Sequence, residues 1–135
     1  MTDQALILQA MEARKFAYTP YSHFQVGAAL LAEDGTVYRG CNVENAAYTP
    51  TNCAERTAFF KAVSEGKCRF SAIAIVAAPE GAPLQKTAPC GVCRQVMMEF
   101  CNPETFEIVL GNAAGEIKVL LLKDLLPMGF GPASL

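Results

Sequence analysis

The sequence is short of the residue most often used to bind metals and carry protons: it has a single histidine, His23. That histidine sits in the turn-like stretch "YTPYSHF", away from the cysteine pair described below, and is read as a structural or solvent-facing residue. Surplus charge is also missing. The 11 basic and 13 acidic side chains leave a net charge of −2, which provides no electrostatic footprint for nucleic acid or an anionic membrane. The longest apolar runs, "VGAALLA" and "AIAIVAA", fall far short of the roughly 20 residues needed to span a bilayer. The opening "MTDQALILQAMEARK" lacks a basic leader followed by a small-residue cleavage site. These absences predict a cytoplasmic protein with no nucleic-acid or membrane partner, in a compartment where thiols stay reduced. No internal repeat, low-complexity tract or linker divides the chain, so one domain over residues 1–135 is expected.

What the chain does have is apolar residues, 52% of the total, and six cysteines. That is enough for a core without disulfide staples. Under reducing conditions, cysteines read as metal ligands or buried thiols before disulfides. Cys41, Cys68 and Cys101 lack partner spacing and are read as small buried hydrophobes.

Leu6, Ile7, Ala10, Met11 and Ala13 recur at helical spacing, predicting a helix from Asp3, its cap, to about Phe16. "QVGAALLAEDGTVYRGCNV" reads as two strands joined at "EDG". A helix is expected from about Cys53 to Glu65, ended by Gly66, and then a buried strand in "SAIAIVAA". A second helix spans about Gly91 to Cys101, "TFEIVLGNAAGEIKVLLL" forms a hairpin, and "KDLLPMGFGPASL" is a short helical turn with a tail. This alternation implies helices packed on a sheet, an α/β sandwich.

The chemistry concentrates in "TNCAERTAFF" and "APCGVCRQVM". Cys90 and Cys93, three apart, place both sulfurs on one side of a helix's first turn, and Cys53 opens another helix. If both helices begin at one end of the sheet, the thiols converge near positive helix ends that favour thiolates. Three thiolates suit one zinc ion with a tetrahedral position left open, the catalytic rather than the structural pattern. Glu55, two residues past a ligand, is then placed to relay protons without itself binding metal. Zinc with three thiolates carries a net negative charge; Arg56, helped by Arg94, is expected to withdraw charge from the sulfurs. A lone C-x-x-C is a weak signal that would also fit a thioredoxin-like redox pair. Joined to C-x-E, it matches the known three-cysteine signature of zinc deaminases, in which the glutamate is not a ligand.

At "PYSHFQVGAAL", "GCNVENAAY", "CAERTA", "PCGVCRQV" and "LLPMGFGP" the chain closely resembles the small homotetrameric cytidine deaminases of pyrimidine salvage, over nearly its whole length. The resemblance implies a three-layer α-β-α sandwich around a five-stranded mixed sheet, and a homotetramer with active sites shared between subunits. It implies one zinc per chain and hydrolysis of cytidine and 2'-deoxycytidine to uridine and 2'-deoxyuridine plus ammonia. By resemblance, Cys53, Cys90 and Cys93 are the ligands and Glu55 the proton shuttle. Asn42 and Glu44 match residues that bind the ribose hydroxyls, Phe24 one that packs on the nucleoside, and Ala54 a backbone N–H that holds the reacting oxygen. Phe130 matches an aromatic that covers the base from a neighbouring subunit, and Tyr48 a residue at that shared boundary.

Two other readings stay open on sequence. One is a related zinc deaminase of another cytosine nucleoside such as blasticidin S; Asn42 and Glu44 favour a ribose-bearing substrate over it. The other is a non-catalytic zinc-binding or redox module, which would have no need of Glu55.

Overall fold

A computed structural model describes all 135 residues. The elements in chain order are α1 (Asp3–Arg14), β1 (Phe24–Ala32), β2 (Val37–Cys41), α2 (Ala54–Ser64), β3 (Phe70–Pro79), α3 (Gly91–Phe100), β4 (Glu107–Gly111), β5 (Ile117–Leu121) and α4 (Leu122–Leu125). A final 3₁₀ turn covers Pro132–Ser134. The five strands form one mixed sheet in the order β2-β1-β3-β4-β5, with only the β3–β4 pair parallel. The expected order of helices and strands is therefore the observed one.

Helices cover both faces of this sheet. Leu6, Ile7 and Ala10 of α1 pack on Ala29, Ala74, Val76 and Val109. On the opposite face Ala58 and Phe59 of α2 and Met97 of α3 pack on Leu30, Ile73, Ile75 and Ile108. The alternation of side chains along β1 and β3 feeds both cores at once, which is why "AIAIVAA", after the exposed Ser71, is apolar throughout. The result is the three-layer sandwich. No helix is long and apolar enough to cross a membrane.

Two details differ from expectation. Thr2, not Asp3, caps α1: its hydroxyl accepts the Ala5 N–H at 3.1 Å, leaving Asp3 in the first turn, where its charge suits the helix dipole. Of the three unpaired cysteines only Cys101 is buried; Cys41 is half-buried and Cys68 is exposed. Cys68 lies between the end of α2 and the start of β3, where the chain runs over the surface.

Close approach of α2 to the sheet depends on Gly40 in β2. A Cβ there would lie 2.3 Å from the Ala54 carbonyl oxygen and 2.6 Å from the Ala58 nitrogen, both backbone atoms of α2. The missing side chain thus sets the height of the α2 first turn above the sheet.

Candidate active site

Both α2 and α3 begin at the end of the sheet where β1 starts and β3 finishes, since Phe24 pairs with Pro79. Ligands to open α/β sheets are commonly met at strand ends of this kind. Phe59, midway along α2, joins that helix to the far end of α3. Its ring packs 5.2 Å from Phe70, 6.2 Å from Phe100 of α3 and 6.1 Å from Phe106.

Cys53 and Cys90 are the N-cap residues of α2 and α3, both with extended backbone and neither spending its side chain on a capping bond. Their sulfurs are therefore free to face each other, at 3.8 Å. The sulfurs of Cys53, Cys90 and Cys93 all lie within 4.8 Å of one another. Tetrahedral coordination at a zinc–sulfur distance of about 2.3 Å requires sulfurs about 3.8 Å apart. The three side chains fit a zinc ion on that geometry. Neither His23 nor any of the other three cysteines joins the group.

The surroundings favour a sulfur anion at Cys53. Arg56, one turn along from Cys53, donates from its guanidinium to the Cys53 Sγ at 3.2 Å, and its Nε is buried with no partner of its own. The Cys93 thiol, donating to Cys53, together with Arg56 holds Cys53 down to about 5. Cys93, as the donor of that pair, lies far above the ordinary thiol range. Arg94 does not share the task of Arg56. Its Nε donates to the Pro89 carbonyl at 2.8 Å and its guanidinium to the Leu125 carbonyl at 2.7 Å, so its charge is spent on main-chain oxygens.

Glu55 is only 5% exposed. Burial is the main force pushing its carboxyl up to about 7, against the hydrogen bond from its own N–H. Ala54, fully buried, is the first residue of α2, where N–H groups have no partner within the helix.

The nucleoside-contact residues named by resemblance fall on a second, adjoining network. Val43 pairs with Asn52 through hydrogen bonds of 3.0 and 2.9 Å, which sets the segment after β2 beside the residue preceding Cys53. The Asn42 amide donates to the Phe24 carbonyl at 2.8 Å and accepts from the Val26 N–H at 2.9 Å. Glu44 accepts from the backbone N–H groups of Tyr21 and Ser22 at 3.0 and 3.1 Å and from the Ser22 hydroxyl. That hydroxyl in turn accepts the Phe24 N–H at 3.0 Å. The hydrogen bond from Ser22 keeps the Glu44 carboxyl below the usual carboxylate range.

Sequence reasoning missed Ser22, although a serine two residues before an acceptor-seeking N–H in a turn is a recognisable signal. Tyr48 has a positive φ of 63° and its ring meets that of Tyr21 edge-on at 6.5 Å. Tyr48 and Phe130 are 75% and 59% exposed, so neither is part of this chain's core.

Comparison with known proteins agrees with this geometry. The profile of the family described as "Cytidine and deoxycytidylate deaminase zinc-binding region" matches residues 1–109. The cytidine deaminase of Sporosarcina psychrophila is 53% identical over 135 residues, covering 100% of this chain and 96% of that protein. Among solved structures, cytidine deaminase from Burkholderia pseudomallei superposes with a TM-score of 0.87 at 52% identity, covering 96% of this chain and 100% of that one. Cytidine deaminase from Mycobacterium tuberculosis follows with a TM-score of 0.81 at 39% identity, over 97% of this chain and 98% of that one.

Proposed function

Because the chain belongs to the family of cytidine and deoxycytidylate deaminases, we propose that it is a zinc hydrolase converting cytidine and 2'-deoxycytidine to the uracil nucleosides and ammonia. The observation that carries this reading is the convergence of three sulfurs beside one buried carboxyl. Cys53, Cys90 and Cys93 hold the ion, one per chain. When bound, zinc is a Lewis acid that makes water a nucleophile near neutral pH.

The rest of the chemistry belongs to the protein's own residues. Glu55 takes a proton from the attacking water and delivers it to ring N3. The water oxygen adds at C4, and the unpaired Ala54 N–H is the donor available to it. Glu55 next takes the remaining proton from the new C4 hydroxyl and passes it to the exocyclic nitrogen, the C4–N bond breaks, and ammonia leaves as the C4 carbonyl forms. One water is consumed and one ammonia released. Arg56 offsets the negative charge of three sulfurs, which would otherwise blunt the ion's pull on electrons.

In this reading Phe24 packs against the nucleoside, and Asn42 and Glu44 take the ribose hydroxyls with the lone pairs and hydrogens their internal bonds leave unused. Tyr48 and Phe130 complete a neighbour's site within a homotetramer, consistent with their exposure here. The whole chain, residues 1–135, acts as a single deaminase domain, in the cytoplasm and in pyrimidine salvage.

The test is metal analysis of the purified protein combined with an absorbance assay on cytidine. One zinc per chain with loss of the cytidine band is expected. Zinc without turnover would instead leave a metal-binding module and reject the proposal.

A further inference from the structure

The C-terminal segment, residues 127–135, pairs with no strand. Its internal hydrogen bonds only close local turns: Gly131 N–H to the Ser134 hydroxyl, Ser134 N–H to Gly131 and Leu135 N–H to Pro132. To the rest of the molecule it makes a single hydrogen bond, from the Gln95 side-chain amide to the Phe130 carbonyl at 2.8 Å. Met98, on the same face of α3, fills the space over the two flanking glycines. A Cβ on Gly129 would approach its sulfur to 3.2 Å, and one on Gly131 its Cγ to 3.0 Å. The root of the segment is held by Arg94 through the Leu125 carbonyl. Positions 94, 95 and 98 all belong to the helix that carries Cys93 and follows Cys90.

We propose that Gln95 is a positioning residue, which sets the place of Phe130 by hydrogen-bonding its carbonyl while Met98 supports the glycines on either side. The inference rests on the reading that Phe130 covers the substrate base. Phe130 is 59% exposed within its own chain, so contacts there do little to locate its ring before a neighbour covers it, and the backbone tether sets where it is presented. Gln95 lies two residues beyond Cys93, so the turn of α3 that places a sulfur also places the aromatic cover. In a tetramer with shared sites, the metal-bearing helix of one chain thereby orders the lid of another's site.

Gln95→Leu keeps the side-chain size and removes the donor. It should retain one zinc per chain, and faster hydrogen exchange should appear at the amides of residues 128–131. KM for cytidine should rise about fivefold, the worth of one net hydrogen bond, with kcat changed less than about twofold. In a Phe130→Ala background, adding Gln95→Leu should move KM by less than about twofold, because the group it positions is gone. Wild-type KM or wild-type tail exchange in Gln95→Leu would overturn the tether, as would a full KM effect persisting without Phe130. If Phe130→Ala alone leaves KM unchanged, the covering role fails and this proposal fails with it. A raised KM in Phe130→Ala beside a wild-type KM in Gln95→Leu overturns the tether only.

Discussion

Cys53 and Glu55 are two residues apart yet face different surroundings, because the backbone changes state between them. Cys53 is extended, with φ −75° and ψ 155°, and Glu55 stands in the first helical turn. The sulfur is left half-buried among other sulfurs while the carboxyl is driven into a nearly closed space. Glu55→Gln preserves shape and removes the carboxylate. Zinc should remain at one per chain, and kcat should fall by at least the ~10²–10⁴ typical of a lost acid–base group. A loss below about tenfold, measured on fully zinc-loaded protein, would remove Glu55 from the relay. The trio of cysteines that meet here, and the acid two residues past the first of them, were legible in the sequence because chemical type and short spacing single them out. The partners of Arg94 were not, since Pro89 and Leu125 offer carbonyls that every residue possesses.

Helix α2 is the element on which the site turns. It carries Cys53, Glu55 and Arg56, and it rests on β2 where Gly40 leaves room. Backbone atoms 2.3 and 2.6 Å from where a methyl group would sit cannot rotate away as a flexible side chain could. Gly40→Ala should therefore lift the first turn of α2, cost about 1–3 kcal/mol in the manner of overpacked cores, and weaken zinc retention. Chemical denaturation and metal content after dialysis would check both. Full stability with one zinc per chain would mean that α2 is not set by that contact. Hairpins and helices were legible as elements because period and turn residues are local signals, as at Gly35 and Gly66 with φ of 91° and 88°. Choosing Asp3 over Thr2 as the α1 cap failed because both residues favour that position, and only the hydrogen bond to Ala5 tells them apart.

On the scale of the whole molecule, one chain leaves Tyr48, Phe130 and Met128 largely exposed. The proposed tetramer would cover them. Light scattering should find four chains per particle, each of 14.5 kDa. A monomer that turns over cytidine at the full rate would reject the shared site. The amino-acid sequence by itself determined the ligand types, the acid beside them and the order of elements, because each depends on side-chain chemistry and on neighbours within a few positions. The tertiary structure alone decided that the sheet runs β2-β1-β3-β4-β5, that Cys53 meets Cys90 at 3.8 Å, and that Gln95 holds the final segment. These contacts join residues far apart along the chain, and only packing both faces of the sheet brings such distant parts together.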